Sequence, residues 1–146
     1  WPNDIICGDK KAGGVLIENV IRGQQWAYSV IGIGINVFQE GPMADLPHAG
    51  SLFHEDSKPN DINDLMIELY ATILKQITTF KEAEINIFYH TLLYKKAQLQ
   101  RFKSDAIIWE AFIEGVDEKG DLLLIKPDGS LLQLKHGEAE WVWDTQ

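Results

Sequence analysis

Cysteine is nearly absent: Cys7 stands alone in 146 residues, which excludes an internal disulfide framework and, with no thiol partner, a thiolate metal site. Cationic clusters are also missing. Thirteen Lys and Arg face 22 Asp and Glu for a net charge of −9, and phosphate-backbone binding needs grouped cations, so sequence-independent nucleic-acid binding is not expected of this portion. Arginine is confined to Arg22 and Arg101. No apolar run approaches the ~20 residues that span a bilayer, so no membrane association is expected. No basic-then-apolar secretory pattern opens the sequence either, and a cytoplasmic setting is the expectation. His48, His54, His90 and His136 are scattered without ligand spacing, so no protein-held metal site is expected. Ser29 and Ser51 lack the context of an activated nucleophile.

What is present suffices for a folded core. Hydrophobic residues make up 45% of the chain, and at this length folding removes roughly two-thirds of the unfolded surface. Cys7 reads as a small buried apolar residue. Residues 14–18 and 26–37 are rich in Val, Ile, Tyr and Trp, and Arg22-Gly23-Gln24-Gln25 between them supplies a turn, which together predict an antiparallel pair. The second run is almost wholly apolar and is expected to be a central strand covered on both faces.

Residues 39–60, with Gly41, Pro42, Pro47, Gly50 and Pro59, predict a long irregular segment. Pro59-Asn60-Asp61 is a helix start, and Leu65, Met66, Leu69, Ile73, Leu74, Ile77 and Phe80 form a stripe at spacings of three and four that ends near Phe80. A second helix is expected from about Ala83 to Phe102. Three short strands follow, at 107–116, 122–126 and 131–134, joined by Asp117-Glu118-Lys119-Gly120 and Pro127-Asp128-Gly129. The fold class is therefore α+β: a mixed or antiparallel sheet with helices over residues 1–104, and a small β-barrel over 105–146. Trp141-Val142-Trp143 is expected to pack that barrel.

Three motifs carry chemistry. Trp1-Pro2-Asn3-Asp4 places two short polar side chains after a fixed proline, which by itself also describes an Asx turn. Lys10-Lys11-Ala12-Gly13-Gly14 leads a lysine loop into a strand, although loop lysines are ordinarily just solvated. Gly32-Ile33-Gly34-Ile35-Asn36 alternates glycine along a strand, leaving one face bare so that a flat ligand can lie on backbone; close strand packing explains the same pattern equally well. The run lacks the third glycine of a dinucleotide fingerprint.

In this order and at these intervals the three motifs resemble the catalytic core of biotin protein ligases, and the likeness covers the carboxy-terminal part of that architecture. It implies a biotin/lipoate ligase-like fold with an SH3-like terminal barrel, and ATP, biotin and Mg2+ as cofactors. The implied reaction joins biotin to ATP as biotinyl-5'-AMP and then transfers biotin to a lysine on the biotin carrier domain of a carboxylase. Such chemistry brings two anions together and stabilises charge on the α-phosphorus, a task suited to one placed lysine. Carried over residue by residue, Lys11 is the catalytic cation, and Asn3, Asp4, Gly13, Gly14, Gly32, Gly34, Ile35 and Asn36 border biotin and adenylate. Gly137-Glu138 resembles the Gly-Glu pair on the ATP and carrier side.

The Gly-Arg-Gly-Arg loop that this family carries upstream of Trp-Pro-Asn-Asp has no counterpart here. The expectation is a fragment lacking half the active site, inactive alone, whose exposed sheet edge invites self-association as a homodimer. Two alternatives stand beside this reading: a lipoate-ligase-type acyltransferase, which shares the fold, and a non-catalytic binding or assembly module.

Overall fold

The structure, a computed structural model, describes residues 1–38, 46–53 and 61–143. Gly41, Pro42, His54, Pro59 and Asn60 of the loop and helix-start readings lie outside the described residues. The chain divides into two compact units, Asn3–Thr78 and, separately, Trp1–Pro2 with the residues from Thr79 onward.

In the first unit, β1 (Asp4–Cys7), β2 (Lys10–Arg22) and β3 (Gln25–Ile35) form an antiparallel sheet in the order β1-β2-β3. The β2–β3 hairpin turns at Gly23, whose φ of 64° is the left-handed conformation that glycine adopts without a Cβ penalty. Cys7 ends β1 half-buried rather than buried. The expectation that β3 is central and covered on both faces is corrected: it is the sheet's edge, with Trp26 71% and Val30 52% exposed. Its apolar residues occupy both faces, a pattern that marks coverage only when layers pack on both sides, and neither layer is supplied among the described residues.

Helix α1 spans Ile62–Thr79, matching the stripe. The Asp61 carboxylate accepts a hydrogen bond from the Asn63 amide at 2.7 Å, capping the first turn. Leu65, Leu69 and Ile73, four residues apart, are the half-buried line of the helix, whereas Met66 and Ile77 are exposed.

In the second unit, helix α2 spans Glu82–Leu92 and stops well short of Phe102. Leu93 turns extended, Lys95 and Ala97 take positive φ, and Leu99–Ser104 forms strand β4. The helical expectation over 93–102 is thus corrected. Leu99 and Phe102, three apart, imitate helical spacing, but on a strand the residue that faces the core is Phe102, 2% exposed.

The remaining strands are β5 (Ile107–Val116), β6 (Leu122–Ile125), β7 (Leu131–Leu134) and β8 (Glu140–Val142), in the sheet order β7-β6-β5-β4-β8. Their turns use the expected chemistry: Asp117 caps Lys119 and Asp121, and Asp128 accepts from both the Ser130 amide and its hydroxyl, which holds the Asp128 carboxyl below its ordinary range. This is the small SH3-like domain, without full closure. Among the described residues no ladder joins β7 to β8, so the sheet is open between these two edge strands.

Every second residue of β5, Ala111, Ile113 and Gly115, faces inward, and with Phe102, Leu122, Leu124 and Leu134 the apolar ones form the core. Phe102 stacks on Trp109 at 4.9 Å and meets Trp141 edge-on at 5.4 Å, so Trp141 packs the sheet as anticipated. Trp1 closes one side, its indole N–H donating to the Gly120 carbonyl at 2.9 Å. No helix among the described residues is long and apolar enough to cross a membrane.

Phe102→Ala should remove this aromatic centre and cost about 3–5 kcal/mol, the usual range for emptying a buried phenylalanine site. Urea unfolding followed by tryptophan fluorescence measures it. A loss under about 1 kcal/mol would mean that the sheet is held elsewhere.

Candidate functional site

The site grows from one irregularity in the β1–β2 ladder. Asp4 pairs with Gly14 and Ile5 with Gly13, but the next residue, Ile6, pairs with Lys11, so Ala12 is an extra residue in β2. Side chains alternate between faces, and without this bulge Lys11 would share a face with Gly13. With it, Lys11 lies on the face of Gly14 and of its partner Asp4. Across the sheet, Gly14 pairs with Gly34 and Leu16 with Gly32, so those glycines share the same face as well.

These residues line one cavity of about 460 Å³, together with Asn3, Val15 and Ile33. That volume lies within the range of small-molecule sites. The Lys11 ammonium stands 2.6 Å from the Asp4 carboxylate, with the lysine side chain 49% and the aspartate 29% exposed.

The glycines play different parts. A Cβ on Gly13 would run into the Gly34 carbonyl oxygen, so Gly13 is required by strand approach. A Cβ on Gly34 would meet nothing within 4 Å, and one on Gly32 only the Leu16 carbonyl at 3.9 Å. Neither has positive φ. Packing among the described residues therefore does not require glycine at 32 or 34; their bareness keeps a face open. At Gly14 an added Cβ would sit 3.9 Å from both the Asp4 carboxylate and the Lys11 side chain, directly on the cavity floor.

Lys11 is fixed through its backbone. Where β3 ends, the segment 48–50 takes its place beside β2: the Lys11 amide donates to the His48 carbonyl at 2.8 Å and the Gly50 amide to the Lys11 carbonyl at 2.9 Å. The Asn36 side-chain amide donates to the Gly50 carbonyl at 3.1 Å and ties this strap down.

Of the residues named from sequence, Asn3, Asp4, Lys11, Gly14, Gly32 and Gly34 meet at the cavity. Gly13 and Ile35 pair with one another on the opposite face, and Asn36 serves the strap. Gly137 and Glu138 lie in the other unit, in the turn before β8. There the Glu138 carboxylate accepts from the Lys135 amide at 2.8 Å and Gly137 has φ 87°. Sequence reasoning missed Val15, Leu16 and Ile33 as lining residues, and the strap; adjacency of Val15 to Gly14 and of Ile33 to Gly32 and Gly34 was the available signal.

No family model matches the chain. Among curated proteins it is 29% identical over 121 residues to the bifunctional ligase/repressor BirA of Bacillus subtilis and 28% over 121 residues to that of Bacillus spizizenii, in each case with 80% of this chain and 31% of the relative. It is 25% identical over 140 residues to the biotin–[acetyl-CoA-carboxylase] ligase of Paracoccus denitrificans, covering 88% of this chain and 57% of that protein. Among solved structures, apo biotin protein ligase from Aquifex aeolicus superposes with a TM-score of 0.71 at 22% identity, over 99% of this chain and 64% of that one. The same enzyme in complex with biotin and ATP gives 0.69 at 22%, over 99% and 61%.

Over most of its length the chain resembles biotin protein ligases. The structural likeness establishes the biotin ligase fold. The chain spans about a third of the length of the Bacillus relatives it matches. For a biotin ligase the donor set bears on magnesium: among the described residues no three His, Cys, Asp or Glu gather, and the Asp4 carboxylate is committed to Lys11. The described residues therefore offer no magnesium site of their own.

The division among glycines is testable by thermal unfolding. Gly34→Val should lose no stability and gain up to about 1 kcal/mol while filling the glycine floor of the cavity. Gly13→Val should cost about 1–3 kcal/mol, as overpacking does. Equal losses would mean that Gly34 is a packing glycine.

Proposed function

We propose that this chain carries the lysine and glycine-strand side of a biotin protein ligase site. The observation that carries the reading is the convergence of the Lys11 ammonium with a glycine face that packing does not explain, in one cavity of ligand size. In this reading the fused ureido ring of biotin, or the adenine, lies on the bare backbone of Gly32 and Gly34. The biotin carboxylate then reaches the α-phosphorus of ATP beside Lys11. A carboxylate oxygen attacks that phosphorus and pyrophosphate departs, giving biotinyl-5'-AMP. The amine of a carrier lysine next attacks the acyl carbon, forming the amide and releasing AMP.

Lys11 offsets negative charge on the phosphoryl oxygens in the first step and on AMP in the second, the kind of fixed electrostatic contribution that governs acyl and phosphoryl transfer. Asn3 supplies hydrogen-bonding groups at the cavity rim. Magnesium, where present, travels with the ATP phosphates. A biotin carrier domain as acceptor, Gly137 and Glu138 on its side, and a cytoplasmic setting belong to the same proposal. So does a two-domain division, drawn before Leu99 and not after residue 104, because β4 is laddered to β5 and β8.

The test is calorimetric titration with a hydrolysis-resistant sulfamoyl analogue of biotinyl-5'-AMP. The chain should bind it, and Lys11→Ala should weaken binding by about tenfold or more, the scale of one charge-assisted hydrogen bond. No heat with the wild type, or equal affinity in the variant, would sink the reading.

A further inference from the structure

The ion pair inside the cavity changes what the site offers an approaching ligand. Among the described residues Lys11 is the one cation lining the cavity, and its ammonium is already matched by Asp4 at 2.6 Å. With no ligand bound, that wall of the cavity is therefore electrically balanced. An anion reaching the ammonium must displace Asp4 or share Lys11 with a carboxylate of like charge. In either case part of the attraction is cancelled.

From this geometry we infer that Asp4 is a placeholder anion: it occupies Lys11 until a ligand arrives that can compensate for breaking the pair. The inference rests on the ligase reading for the identity of that ligand and goes beyond it in giving the cavity a filter. A small bare anion, such as phosphate or pyrophosphate, has only the ammonium to gain, and that gain is offset by the lost Asp4 contact. A ligand that joins an anionic group to a flat apolar body also covers the Gly32 and Gly34 face and gains there without opposition.

The fold supports such an exchange. The backbones of both partners are fixed, Asp4 by the ladder to Gly14 and Lys11 by Ile6 on one side and the 48–50 strap on the other. The bulge at Ala12 alone puts the two side chains on one face. Motion is thus confined to the flexible methylene chain of the lysine, whose side chain is half exposed. Asp4 is accordingly a positioning and specificity-determining residue that acts through Lys11.

The experiment is titration of the chain with inorganic pyrophosphate, followed by calorimetry, on the wild type and on Asp4→Asn, Asp4→Glu, Lys11→Ala and the Asp4→Asn/Lys11→Ala double variant. Circular dichroism confirms that each is folded. Asp4→Asn should bind pyrophosphate about three- to tenfold more tightly than the wild type, the scale of a partly exposed ion pair. Asp4→Glu, which keeps the charge, should behave as the wild type. In the Lys11→Ala background the same Asp4→Asn change should give less than about twofold.

No gain in Asp4→Asn, or an equal gain with and without Lys11, would overturn the proposal, since the second result is plain repulsion by Asp4 and not occupation of the lysine. Biotin titrated against the same proteins separates the two readings. A pyrophosphate gain that needs Lys11, in a chain that binds no biotin, would retire the ligase function and leave the role of Asp4 standing.

Discussion

The close approach of β2 and β3 at Gly13 is the constraint on which the site depends. A side chain there would meet the Gly34 carbonyl, so the two strands can pair at this point only across a residue without a Cβ. That approach carries the ladder on to Ile35, opposite Gly13, where β3 ends. Beyond it the Asn36 amide still donates to the Ala12 carbonyl at 2.7 Å. The strap at 48–50 can then take up the vacated edge of Lys11. Move the strands apart at Gly13 and the glycine floor, the strap and the fixed backbone of Lys11 are lost together.

The bulge at Ala12 is the second determinant, and it acts through geometry alone. Ala12 is fully buried and contributes no chemistry, yet its insertion exchanges the faces of everything before it in β2. A loop cation thereby becomes a cavity cation. Bulges commonly re-aim one side chain in this way next to functional sites. The carbonyl of the bulged Ala12 is satisfied by the Asn36 amide, and the amide and carbonyl of Lys11 by the strap.

Some of this was legible from residues and some was not. The meander 107–134 was readable because alternation and turn chemistry agreed: inward Ala111 and Ile113, Asp117 and Asp128 turns, and glycines at positive φ at 120 and 129. Helix α1 was readable from its stripe and its Asp61 cap. The break after α2 was not, because the residues that enter the left-handed region are Lys95 and Ala97 rather than glycine or asparagine, and Leu99 with Phe102 keep a helical interval. The edge position of β3 was hidden because an apolar strand reports on its faces and not on its neighbours. At the site, the three motifs were visible, but the bulge that brings Lys11 and Asp4 to one face leaves no mark on residue identity. Gly13 and Gly34 looked alike in sequence. Only the surrounding space assigns the first to packing and the second to an open face.

A site built in this way asks little of side-chain identity. Its floor is backbone, and backbone presents the same carbonyls and amides whatever residues flank it; its charge comes from one lysine balanced by one aspartate. The demands on sequence reduce to the absence of a Cβ at a few positions, a small residue to form the bulge, and two charges in register. Leu16 shares the face of the bare glycines and contributes an apolar wall that another aliphatic side chain of similar size supplies, whereas Val15 and Ile33, on the alternate register, line the cavity through backbone. Overall identity to relatives with the same fold is therefore a poor gauge of whether such a site is present. The informative quantity is local: whether the bare positions are bare for a reason other than packing. At Gly32 and Gly34 the fold supplies no such reason, and a strand at a sheet edge would be firmer with β-branched residues there. Leaving these positions empty weakens the strand, and it is the proposed ligand on the open face that would offset that loss.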